Sequence, residues 1–208
     1  GGFEAVPPGL VDNSTFFKGA LANSVVASTQ YAVPWYVQTR VLFFRKDLAE
    51  AAGVKPPTTW EEFVPFAEAL KTQGTDWGTV IPTGEEGTWH ALMPYIWQAG
   101  ADVVSQDGSE YTFDTPEALK ALQQYQSLID NGVAMPTAPI ATGEVEALFV
   151  NGKVASFVGG PWMIGVLNEV GGNGFVDDNL GLALLPAGPA RDAAIVGGCS
   201  WGVFTPVY

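Results

Sequence analysis

Side chains able to do acid–base or nucleophilic chemistry are few in this chain, and their spacing fits no catalytic constellation. Glu85 and Glu86 are paired carboxylates, the groups a glycosidase uses. Neighbours in an extended segment point to opposite sides, so this pair does not flank one bond as glycoside hydrolysis needs. They are expected to be solvated, or one of them to serve as a ligand acceptor. His90 is the only histidine. No serine in an elbow motif partners it, so a triad is not expected, and His90 is assigned to a helix face. Cys199 is the only cysteine, which leaves no intrachain disulfide. One His and one Cys do not build a zinc site of the usual kind, and no metal or other cofactor is expected. Cys199 is assigned to the interior as a small residue. Gly159-Gly160 and Gly197-Gly198 match neither the P-loop nor the dinucleotide spacing and lack the lysine. Glycine at such places lets backbone N–H groups approach a ligand.

Aromatic faces and hydrogen-bonding groups offer a different chemistry. The chain has seven tryptophans. Trp60, Trp77 and Trp97 lie inside helix or strand patterns and are expected in the core. Trp35, Trp89, Trp162 and Trp201 each follow a break: Pro34, Gly87-Thr88, Gly160-Pro161 and Gly197-Gly198. Loops at element ends are where ligand contacts concentrate. An indole face stacks on the C–H face of a sugar ring, and its N–H donates a hydrogen bond. Gln38 and Arg40 directly precede the apolar run Val41–Phe44. They form either a satisfied structural pair, or a hydroxyl-binding amide and a positioning guanidinium in a cleft wall.

The totals agree with a binding protein that avoids phosphate backbones. There are 9 basic and 22 acidic residues, for a net charge of −13, which argues against nucleic acid and against an anionic membrane surface. With 47% hydrophobic residues, the 208-residue chain can bury a real core. No apolar run reaches membrane-spanning length, and "GGFEAVPPGL" is not a signal peptide. The opening Gly-Gly-Phe and the closing "WGVFTPVY" suggest a piece of a longer protein.

The elements that must carry these residues alternate. Residues 13–28 suggest a short helix weakened by Gly19. Val41–Phe44 has the pattern of a strand buried on both faces. "KDLAEAAGV" is a helix ended by Gly53. Thr59 and Glu62 form a capping box for a helix burying Trp60, Phe63, Ala67 and Leu70, with an irregular start at Pro65. Residues 77–81 form a strand, and 88–102 a helix that Pro94 kinks or interrupts. Asp107-Gly108 marks a turn. The clearest helix starts at Asp114 or Thr115 with Pro116 in its first turn. It should bury Ala118, Leu119, Leu122, Tyr125, Leu128 and Ile129. A short helix around Glu144–Phe149, a strand at 154–158, a helix from Trp162 to about Val170 and a buried strand at 180–186 follow. "AAIVGGCSWGVF" is strand, glycine break, strand. This interleaving is α/β or α+β.

Three stretches in order resemble a known family. "YAVPWYVQTRVLFFRKDLAEAAGVKPPTTWEEF" resembles the mid-chain signature of extracytoplasmic solute-binding proteins of ABC importers, the maltose- and oligosaccharide-binding branch. Pro34, Val37, Leu42, Lys46, Asp47, Leu48, Pro56, Pro57, Thr59, Trp60, Glu61 and Glu62 carry the match. "FVNGKVASFVGGPWMIGVL" and "LGLALLPAGP…AIVGGCSWGVF" are similar to two later family motifs. Phe44-Arg45, in place of the usual Tyr-Asn, and Pro65 depart from the pattern.

The resemblance implies an α/β fold of the periplasmic-binding-protein type, with two lobes joined by hinge strands and a ligand in the cleft between them. Residues 1–35 would be the tail of the first lobe, 36–42 the hinge crossing, 43–196 the second lobe and 197–208 the return crossing. It places Gln38 where maltose binders carry a ligand-bonding glutamate. Trp89 and Trp162 fall at or near sugar-stacking aromatics. Gly198, Ser200 and Trp201 fall on a returning segment that touches ligand, and Trp35 and Tyr36 nearby. The expected function is non-enzymatic: an extracytoplasmic component, periplasmic or a cell-surface lipoprotein, that binds a sugar or oligosaccharide by hinge closure and delivers it to an ABC permease in the membrane. The rivals are a non-sugar solute on the same fold, a carbohydrate hydrolase, and a protein-interaction module.

Overall fold

The computed structural model describes residues 2–83, 88–138, 143–172 and 174–205. Along the chain, a 3₁₀ turn at Asn13–Thr15 precedes α1 (Lys18–Ala22), β1 (Val25–Val26), β2 (Thr29–Gln30) and β3 (Val33–Gln38). Then come β4 (Val41–Arg45), α2 (Lys46–Ala52), α3 (Trp60–Lys71), α4 (Thr88–Gln98) and α5 (Pro116–Asp130). The order closes with α6 (Glu144–Val150), β5 (Ser156–Gly159), α7 (Met163–Gly171), α8 (Phe175–Asn179), β6 (Leu180–Ala183) and β7 (Gly197–Trp201). These elements fall into two units, Gly1–Thr39 with Val196–Tyr208, and Arg40–Ile195.

The larger unit is organised by β4. It is the central strand of a three-stranded sheet ordered β5-β4-β6, antiparallel to both neighbours. Successive strand residues face opposite sides. Leu42 and Phe44 therefore enter one core, against Phe63, Phe66, Ala67 and Leu70 of α3 and Tyr125 and Leu128 of α5. Phe43 enters the other, with Phe149 of α6, Phe157 of β5 and Leu167 of α7. Phe43 and Phe157 are register partners with rings stacked 5.0 Å apart. A strand buried on both faces must be apolar at every position, and Leu42-Phe43-Phe44 is.

Several local expectations need correction. Thr59 makes no capping bond with its side chain. The Glu62 carboxylate instead accepts from the Thr58 backbone N–H (2.7 Å) and hydroxyl (2.8 Å), so the box is shifted by one residue. Helix α3 runs regularly from Trp60 with Pro65 inside it. On α5, Thr115 caps through Ala118 N–H and Pro116 is the first helical residue, but Leu119 and Leu122 are exposed. Ala121 takes the buried place, because the 118/121/125/128 spacing follows one face and 119/122 lies beside it. Residues 77–81 form isolated bridges with Val154, Ala134 and Phe157. Strand β6 exposes Leu182, and Leu184 beyond it is also exposed, so 180–186 is not a fully buried strand.

The smaller unit has different chemistry. All three buried hydrophobic clusters lie in the larger unit. The smaller one is held by β-pairing. Strands β1 and β2 form a hairpin whose turn residues Ala27 and Ser28 sit at φ 47° and 67°. This turn, unmarked by Gly or Asn, is why no single helix spans 13–28. Strand β7 begins at Gly197 itself and pairs antiparallel with β3, and residues 193–196, expected as a strand ahead of the glycines, are not one. Phe3 and Phe204 bridge and stack at 4.7 Å. No helix among the described residues is long and apolar enough to cross a membrane.

Candidate functional site

In the smaller unit the β3–β7 ladder brings six of the sequence-selected residues together. The register runs Val33↔Trp201, Pro34↔Ser200, then Tyr36↔Cys199, leaving Trp35 as the extra residue of a bulge. A bulge re-aims its side chain. Trp35 meets Trp201 at 5.2 Å and Tyr36 edge-on at 5.2 Å, and all three rings are exposed. Ser200 Oγ lies 3.5 Å from the buried Ser24 Oγ. Gly198 has φ 133°, and a side chain there would meet the Tyr36 carbonyl, so only glycine allows the two strands this approach. Gln38 pairs with Gly197 and its amide lies along that bare glycine.

Cys199 is exposed, not buried, and its thiol donates to the Tyr36 hydroxyl at 3.3 Å. That bond is the main cause of a raised Tyr36 pKa. Nothing in the sequence marked this pairing, because it depends on which face of β7 turns outward.

The larger unit assembles the rest. Val41 pairs with Gly159, so the next residues outward, Arg40 and Gly160, fall at the same end of the β4–β5 ladder. Chain direction then brings Trp162, the N-cap of α7, over this end. The Arg40 guanidinium lies 4.5 Å from the Trp162 ring centroid. A Cβ on Gly160 would collide with the six-membered ring of Trp162, so the bare backbone is what lets the indole lie here. Trp162 remains exposed. Arg40 is half-buried, and its Nη1 is shut off from solvent with no hydrogen-bond partner. Burial holds its pKa below the ordinary value.

His90, on the first turn of α4, has its pKa lowered by burial and then by the Arg40 charge. Its ring stacks on Trp89 at 3.7 Å, and Trp89 is exposed. Glu85 and Glu86 lie outside the described residues. Trp60 is fully core and donates to Gln98 at 2.6 Å, while Trp77 and Trp97 are half-buried. The buried Gln98 amide, which also donates to the Ala193 carbonyl, is a structural residue the sequence did not single out.

The exposed aromatics do not carry equal weight. The smaller unit also exposes Phe3, Phe17, Val26 and Phe204, so exposure alone does not distinguish Trp35 and Trp201 there. Trp162 is different. A bare glycine and a stacked guanidinium hold it in place, and it still faces solvent.

Comparison with known proteins gives the class. The family described as "Bacterial extracellular solute-binding protein" matches residues 3–205, and the chain belongs to it. Among the relatives is the diacetylchitobiose binding protein DasA of Streptomyces coelicolor, 29% identical over 82% of this chain and 39% of its own length. The GacH receptor of Streptomyces glaucescens, solved unliganded and with acarbose, has a TM-score of 0.81 and 30% identity, covering 98% of this chain and 52% of that one. An ABC transporter solute binding protein of Thermotoga lettingae, bound with α-D-tagatose, has a TM-score of 0.77 and 25% identity, covering 91% of this chain and 49% of that one. The fold is thus that of the two-lobe sugar-binding proteins, and these neighbours are binding proteins. The chain spans less than half the length of the curated relatives it matches.

Proposed function

We propose that the chain belongs to the substrate-binding component of an ABC transporter and binds a sugar or oligosaccharide without transforming it. The reading is supported most by Trp162, an exposed indole fixed by Gly160 and Arg40 in a member of an extracellular solute-binding family. Trp89, Trp35, Tyr36 and Trp201 offer further stacking faces, and Gln38, Arg40, Gly198 and Ser200 supply hydrogen-bonding groups to hydroxyls. The chain passes between its units at Thr39–Arg40, inside the expected crossing at 36–42, and at Ile195–Val196, beside the expected return crossing, and these two passages are assigned as the hinge. The protein works outside the cytoplasm, in a periplasm or as a cell-surface lipoprotein, and hands its ligand to permease subunits in the membrane.

The test is a tryptophan-fluorescence titration with maltose-, xylose-, cellobiose- and galactose-type oligosaccharides. A saturable change with one class is expected. Trp162→Ala should weaken it about tenfold, the loss of roughly 1.4 kcal/mol of stacking. No response to any class would overturn the sugar reading in favour of a non-sugar solute. Turnover of an aryl glycoside would overturn the assignment to binding alone.

A further inference from the structure

We infer that the saccharide held at Arg40 and Trp162 carries a carboxylate, so that the ligand class is a uronic-acid-containing oligosaccharide. The inference rests on the sugar-binding reading above and specifies the class of ligand.

The chain has three arginines. Arg45 is paired bidentately with Asp47, through Nε (2.8 Å) and Nη2 (2.6 Å). Arg191 donates through Nε to the Trp97 carbonyl at 2.7 Å. Among the described residues, Arg40 alone of the three has no acceptor for its guanidinium. Its Nη1 is buried and unpartnered, its contact is the indole of Trp162, and no acidic side chain among the described residues pairs with it.

A buried donor without an acceptor is costly, and a charged one more so. The indole attracts the cation through its face but accepts no in-plane hydrogen bond from the guanidinium edge. Among the described residues, the titratable group that senses the Arg40 charge is His90, which brings no negative charge. Nη1 itself is closed to solvent, so a ligand's acceptor meets the part of the guanidinium that stays open on this half-buried residue. A sugar hydroxyl would satisfy one N–H. A carboxylate satisfies the planar fork and also neutralises the charge, with bonds roughly twice as strong as neutral ones. A uronic acid has that group attached to the pyranose ring, so one residue places a carboxylate on Arg40 while a ring face meets the exposed part of Trp162 or Trp89. A single guanidinium fits a single carboxylate, whereas a phosphate would call for several convergent cations. The net charge of −13 does not oppose this, because charges more than about 8–10 Å away are screened at physiological salt.

The experiment titrates the chain by calorimetry with matched pairs of oligosaccharides, neutral and uronic, of the same ring and linkage: galactotriose with trigalacturonate, cellotriose with its uronate. The expected result is one uronate bound about tenfold or more tighter than its neutral partner. Raising the salt should weaken the uronate alone. Arg40→Gln should abolish the preference, costing the uronate about tenfold more affinity than its neutral partner, and Arg40→Lys should keep part of it. Should Arg40→Gln not fold, the preference and salt dependence of the unsubstituted chain still decide. Neutral members binding as tightly as uronates would overturn the inference and leave the sugar reading intact. Binding of no saccharide of either kind would overturn both.

Discussion

At the scale of single residues, the site depends as much on absent atoms as on present ones. Trp162 has its position because Gly160 has no side chain, and Gly198 lets β7 approach the backbone of Tyr36. Gly160→Ala is therefore a sharper probe than its size suggests. The added methyl must push the indole off its seat and away from Arg40. We expect a destabilisation of about 1–3 kcal/mol, as for other overpacked sites, measurable by urea denaturation. A shifted tryptophan emission maximum and a loss of ligand affinity should accompany it. An unchanged spectrum and affinity would show that Trp162 does not depend on that glycine. Arg45 is the contrasting case. Burial raises the pKa of its partner Asp47, but the hydrogen bonds and charge from Arg45 outweigh this and hold the carboxyl below its usual range. Arg45 thus has its anion beside it, whereas no acidic side chain among the described residues pairs with Arg40.

At the scale of elements, the positions of the site residues follow from register. A bulge at Trp35 gathers three rings on the β3–β7 ribbon, and the end of the β4–β5 ladder sets Arg40 near Gly160. Helix α3 carries a defect that the fold tolerates. Pro65 has no N–H for the Glu61 carbonyl, yet the helix continues to Lys71 because Phe63, Phe66, Ala67 and Leu70 bury one face in the core. Pro65 itself is exposed. Pro65→Ala should therefore restore a backbone bond without disturbing packing and stabilise the chain by about 1–2 kcal/mol, somewhat less than the full helix-propensity difference because alanine also loosens the unfolded chain. A lower urea midpoint in this variant would mean that the proline shapes the helix for its neighbours.

At the scale of the whole molecule, two units of unequal construction share one chain. Among the described residues the larger holds the buried hydrophobic clusters, and the smaller relies on strand pairing and ring contacts. A ligand that binds only the folded chain must raise its melting temperature. At a free concentration of 100 times Kd the stabilisation is about 2.7 kcal/mol, or about 5–11 °C for a domain of this size, by differential scanning calorimetry. A sugar that changes fluorescence but leaves the melting temperature fixed would point to nonspecific contact with exposed indoles.

The sequence by itself determined the family, the central buried strand and most helix ends, because these are local. An unbroken apolar run, a proline at a helix start and a glycine at its end act through neighbouring residues. It also marked Trp162 and Arg40 as candidates, through their places beside a break and a buried strand. Tertiary structure alone decided their pairing, since 122 positions separate them and only the antiparallel register of β4 and β5 brings them together. It decided that Cys199 faces outward and that Leu119 and Leu122 lie off the buried stripe of α5. It decided which atoms Gly160 and Gly198 let approach, the Trp162 ring and the Tyr36 carbonyl. In each case the outcome turns on which face a neighbouring element covers, and that is a property of packing, which no stretch of sequence contains.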